Sequence, residues 1–165
     1  MARPTKYASL ICAILSVIAV IGVIAGLAMK SPMAILIAVT PSVGYEVYRT
    51  EGESTIWASW VMAGVLVLEF ILVIFNIGFD VASFLGASAQ TVAGYTVPLG
   101  DIRIVGPALM AVLAIILIVR TRGVYTRWLA ANIIVCVLAL TYVLDPNVFA
   151  QLLRQGVQAG MNQIN

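Results

Sequence analysis

Residues 7–29, YASLICAILSVIAVIGVIAGLAM, form an apolar run with no charged side chain. A helix rises 1.5 Å per residue, so such a run reaches about 34 Å and crosses a hydrocarbon core of about 30 Å. Arg3 and Lys6 precede it and Lys30 follows it. A cleaved leader carries an apolar region of only about 7–15 residues. The run therefore reads as a retained transmembrane helix, and the same pattern recurs down the chain.

Lys30-Ser31-Pro32 is a turn, because proline opens a helix at little cost but does not continue one cheaply. The next apolar run covers 33–48 and is interrupted by Pro41. It is short against the roughly 20 residues of a crossing, so it reads as a kinked span or a re-entrant piece. Residues 49–55, RTEGEST, are a polar linker with Ser54 and Thr55 as candidate N-caps. A third run covers 56–79 and contains Glu69. Residues 80–103 hold Pro98 and many small residues, and read as an outer loop. The fourth and fifth runs cover 104–119 and 125–144.

Asp145-Pro146 has the pattern of an N-cap followed by proline at the first helical position. The tail, 146–161, turns Phe149, Leu152, Leu153 and Val157 to one side. Gln151, Arg154, Gln155 and Gln158 fall on or near the other, as in an amphipathic helix lying at a membrane surface. The expected fold is an all-α integral membrane protein. It is one polytopic domain over 1–165, with about five transmembrane helices and an interfacial C-terminal helix.

Composition points the same way. The 165 residues are 62% hydrophobic and 10% charged, with a mean hydropathy of +1.09. Soluble domains are about half apolar and about a quarter charged. A chain this small exposes too much surface to hide its excess apolar residues from water. The net charge of +2 is small and its basic residues are scattered, which excludes nucleic acid as a partner. Membrane lipids and other membrane subunits, or further copies of the chain, are the expected partners.

The chain has no histidine. Imidazole is the usual ligand of haem, zinc and copper and the usual general base near neutral pH. Nor is there a glycine-rich phosphate loop or a serine-nucleophile motif. No cofactor, no metal and no catalytic residue is expected, and the chain does not read as an enzyme. Cys12 and Cys136 lie inside apolar runs and read as small packing residues.

The distribution of charge orients the spans. Five spans with a cytoplasmic N-terminus put Arg3, Lys6, Arg49, Arg120, Arg122 and Arg127 inside, against Lys30, Arg103 and Arg154 outside. That is the sense of the positive-inside rule. Four spans from the same N-terminus would turn the 120–127 cluster outward. Five spans also gather Tyr7, Tyr45, Tyr48, Trp57, Trp60, Tyr125 and Trp128 at the inner boundary. The expected location is the cell membrane, with the C-terminus outside.

Few residues carry chemistry. Glu69 lies near the middle of the third run, where a carboxylate costs several kcal/mol. Asn76 and Asp80 follow at +7 and +11, so on one continuous helix each falls within about 20° of Glu69 and the three share a face. The stripe is a candidate proton or cation route or polar lining. The structural alternative is a protonated Glu69 bonded to a neighbouring helix, with Asn132 and Thr141 as available partners. Glu69 and Asp80 stand about 16 Å apart along such a helix, too far to act as an acid-base pair.

In the first run Ser9, Cys12, Ser16, Ala19, Gly22 and Gly26 recur at helical spacing, which marks a face for close helix packing. That face serves either an oligomer or the interior of the chain. Gly156 and Gly160 repeat the spacing in the tail and suggest docking. Glu46 and Arg49 share a face in the Tyr45–Arg49 segment, which reads as an anchoring belt. The stretch Thr91-Val92-Ala93-Gly94-Tyr95-Thr96 resembles the filter signature of potassium channels, T-V-G-Y-G, with Ala93 inserted and Thr96 in place of the last glycine. That resemblance implies a pore loop.

The function expected from these features is a non-enzymatic small membrane subunit packed in a larger assembly. The alternative is a homo-oligomeric channel or proton-coupled transporter using Glu69, Asn76 and Asp80.

Overall fold

The computed structural model describes residues 7–49, 53–78, 89–92, 95–98, 102–121, 123–150 and 154. The first apolar run is helix α1, Ala8–Met29. It ends where Lys30 turns left-handed (φ 49°, ψ 38°) and the Lys30 and Ser31 N–H groups close back on the Gly26 carbonyl. Pro32 then opens α2, Pro32–Arg49. This helix runs on through Pro41, whose ring faces outward and whose missing N–H leaves the Ile37 carbonyl without its usual helical donor.

Helix α3, Glu53–Ile74, begins a turn earlier than the apolar pattern suggests. Ser54 and Thr55 thus lie inside its first turn rather than capping it. It also stops earlier, at Ile74, and not at residue 79. Asn76 takes a left-handed conformation (φ 49°), and the Ile77 N–H bonds the Leu72 carbonyl, closing the helix end. Helices α4, Ile102–Arg120, and α5, Val124–Leu144, follow the fourth and fifth runs closely.

The expected cap after α5 is present. Asp145 Oδ1 accepts from the Asn147 and Val148 N–H groups at 2.8 and 3.3 Å, and residues 146–150 are helical behind it. Phe149 packs edge-on against Tyr142 of α5, with centroids 5.4 Å apart. Of the rest of the expected tail helix only Arg154 is described. Gly156 and Gly160 lie outside the described residues.

The stretch that resembles a potassium filter is built differently. Ala89–Val92 (β1) and Tyr95–Pro98 (β2) pair as an antiparallel hairpin, with Thr91 opposite Thr96 and Val92 opposite Tyr95. A ladder directs backbone carbonyls at the partner strand, whereas a filter aims them at an ion. This short hairpin falls in the stretch expected to be an outer loop, and the regular structure of the other described residues is helical, in keeping with the all-α membrane fold expected.

Each helix packs against its neighbours in sequence, α1 closes the ring against α5, and α2 and α5 also touch across the centre. Contacts fix the directions. A Cβ on Gly22 would overlap Ala38, and one on Gly26 would overlap Ile35, so α1 and α2 run antiparallel in close contact. Arg49 at the end of α2 lies over the ring of Tyr125 at the start of α5, 4.7 Å from its centroid. The starts of α1, α3 and α5 therefore share one end of the bundle with the end of α2.

The core between them is aliphatic: Leu36, Val39 and Val43 of α2, Met62 and Leu66 of α3, Met110, Ala114 and Leu117 of α4, and Ile133, Val137 and Leu140 of α5. Outward faces are apolar as well, among them Leu10, Ile14 and Ile21 of α1 and Val112, Ile115 and Val119 of α4. Among the described residues, four helices are long and apolar enough to cross a membrane: α1, the Thr55–Ile74 part of α3, α4 and α5. Helix α2 is not among them. The chain has the make-up of a helical, multi-pass membrane protein.

Candidate functional site

The small-residue face of α1 is spent inside the chain. Cys12, Ala19, Gly22 and Gly26 are buried, the two glycines against α2, while Ser9 is exposed. Ser16 binds α5: its hydroxyl donates to the Cys12 carbonyl at 2.9 Å and accepts from Trp128 Nε1 at 2.8 Å and Asn132 Nδ2 at 2.7 Å. One donor and two acceptor positions are all a serine has, and this one uses every one.

Glu69 is wholly buried. It points from α3 onto α4 at Gly106, where the absent side chain makes room for the carboxyl group; a Cβ there would overlap Glu69 Oε2. Pro107, next in the chain, has no N–H, so the Arg103 carbonyl lacks its usual helical partner. Arg103 stands three residues before Gly106, hence on the same face of α4 and one turn nearer the helix end. Its guanidinium donates to Asn76 Oδ1 at 2.9 Å.

Asn76 thus joins Glu69 in one polar region, but not by the spacing expected. Helix α3 ends before Asn76, so the 100° periodicity no longer relates the two residues. The region is a seam between α3 and α4, linked through Arg103, and Asp80 lies outside the described residues. Nor do Asn132 and Thr141 serve Glu69. Asn132 bonds Ser16, and the Thr141 hydroxyl donates to the Val137 carbonyl at 2.9 Å.

A second carboxyl group is buried where the sequence reads as an anchoring belt. Glu46 of α2 has no solvent exposure, and Arg49 sits over Tyr125. A spacing of three says that Glu46 and Arg49 share a face, but not which way it looks. The missed signal was the series Ile35, Val39, Ser42, Glu46, a stripe at spacings of four and three that is buried throughout.

No family model, curated protein or solved structure matches the chain.

The α3–α4 seam brings polar groups together in an otherwise apolar interior. Its parts are a carboxyl group in an apolar interior, a guanidinium one turn away and an amide at the boundary. Among the described residues no three His, Cys, Asp or Glu side chains converge.

Proposed function

We propose that this chain is a non-enzymatic membrane subunit that packs, through its apolar flanks, into a larger assembly. The observation that carries this reading is the division of the surface. Ser16 and Asn132 bond across helices and Glu69 is buried between them, while α1, α3 and α4 turn apolar side chains outward. Such flanks suit lipid and other transmembrane helices equally, and van der Waals packing is what joins helices there. The turns at 30–31 and 121–123 are too short to fold as separate domains.

In this reading α2 also crosses, shielded by α1, α3 and α5, which makes five spans. The aromatic and basic residues at the shared end of α1, α2, α3 and α5 support a cytoplasmic N-terminus in the cell membrane and an outer C-terminus. The test is the mass and composition of the particle extracted from native membranes in mild detergent. Co-migration with other polypeptides supports the subunit, and a particle of this chain alone opposes it.

One observation favours a second reading, a channel or proton-coupled transporter: Glu69 is fully buried in a seam that leads to Arg103 and Asn76. Ionisable groups within membrane spans mark ion and proton pathways more often than they serve packing. Glu69→Gln keeps shape but cannot ionise. A transporter would lose flux or its pH dependence in liposomes, and a packing subunit would assemble unchanged.

A further inference from the structure

The β1–β2 hairpin has two edges of different character. Its register pairs Ala89 with Pro98, Gln90 with Val97, Thr91 with Thr96 and Val92 with Tyr95. Two residues separate the strands, and across so short a connection the flanking pair, Val92 and Tyr95, exchanges hydrogen bonds. Exchanging and non-exchanging pairs alternate, so Ala89–Pro98 and Thr91–Thr96 turn their backbone groups outward. Pro98 fits that pattern because it has no N–H to exchange. The outer edge of β1 thus presents the N–H and C=O groups of Ala89 and Thr91. That of β2 presents both groups of Thr96 but only the carbonyl of Pro98.

Among the described residues no third strand joins the pair, neither strand makes another backbone hydrogen bond, and no helix packs broadly against it. A two-stranded hairpin alone is marginally stable. Proteins blunt exposed strand edges with charge or proline. Strand β2 has its proline, whereas β1 holds neither device, and no charged residue occurs anywhere from 81 to 100.

We propose that the β1 edge is an interface with a second copy of this chain. Paired antiparallel about a two-fold axis, Ala89 stands opposite Thr91 of the partner subunit, and Thr91 opposite the partner's Ala89. Two such exchanging pairs make four backbone hydrogen bonds and use every outward group of β1. An uncharged edge does not repel its own copy, and copies inserted with one orientation carry the hairpin on the same side of the membrane. Only one edge is open, so pairing closes at two copies, with Pro98 on each outer strand opposing further addition. The pairing does not depend on which other polypeptides the chain joins.

The experiment uses the full chain in its native membrane, with Cys12 and Cys136 replaced by alanine and copper phenanthroline as oxidant. In the paired sheet residue 90 faces its own copy in a non-exchanging pair, with Cα atoms about 4.5 Å apart, within disulfide range. Residue 97 lies on the outer strand, three strand spacings or about 14 Å from its copy, beyond that range. Gln90→Cys is expected to form a disulfide-linked dimer on the order of tenfold faster than Val97→Cys. Adding Thr91→Pro to the Gln90→Cys chain removes an outward N–H and no hydrogen bond of the hairpin. It takes two bonds from the dimer and lowers cross-linking on the order of tenfold, while Thr96→Pro on the opposite edge does not. Equal cross-linking at 90 and 97, or none at 90, overturns the proposal. A cross-link from residue 90 to a different polypeptide overturns it as well, since the edge then belongs to another partner.

Discussion

Gly106 shows how much one absent side chain determines. Its missing Cβ is the space that the Glu69 carboxyl group fills, so the two residues are one packing unit on facing helices. Gly106→Ala forces Glu69 or the α3–α4 spacing to move. Overpacking of this kind costs about 1–3 kcal/mol. Thermal unfolding in detergent is expected to show the loss. Adding Glu69→Ala to that variant vacates the space and restores part of it, as coupled neighbours do. Additive losses in the double variant would mean that the contact is not the cause.

At the scale of elements, most boundaries were legible because apolar length and terminating residues agreed. Lys30-Ser31-Pro32 marked the α1–α2 turn, and Asp145-Pro146 marked the helix after α5. In that second case the cap is specific enough to test. Asp145→Ala removes the acceptor for two N–H groups and costs about 1 kcal/mol locally. Hydrogen exchange at the Asn147 and Val148 amides should accelerate, while exchange in the middle of α5 stays slow. Unchanged exchange would show that the Tyr142–Phe149 contact holds the segment by itself.

The misses have physical causes. Helix α3 was extended to residue 79 because Phe75 and Ile77 continue its apolar pattern. A left-handed Asn76 ends a helix without any change in hydropathy. Of the candidate site, Glu69 was legible as a charge in an apolar run. Its partner helix was not, since Gly106 announces close approach without naming what approaches. Glu46 was hidden by its neighbours: tyrosines and an arginine around it look like a boundary, although the stripe ending at Glu46 faces inward.

At the scale of the whole molecule, α2 decides the topology. Its 18 residues make about 27 Å, near the thickness of the hydrocarbon core, and its contacts lie with α1, α3 and α5. If α2 crosses, the α1–α2 and α4–α5 turns lie on opposite sides of the membrane. If it returns to the side it entered from, they lie on the same side. Single cysteines at Ser31→Cys and Gly123→Cys, with Cys12 and Cys136 replaced by alanine, distinguish these with an impermeant maleimide on intact cells. The account predicts labelling at residue 31 from outside and at residue 123 only after lysis.

The central claim is that a chain with engaged polar groups and apolar flanks works as part of something larger. Its most direct test is the mass of the particle released from native membranes by a mild detergent, with every polypeptide in it identified. The account predicts a large complex in which this chain co-migrates with other membrane proteins. A particle containing this chain alone would contradict it, and the flux of Glu69→Gln in liposomes would then carry the question of function.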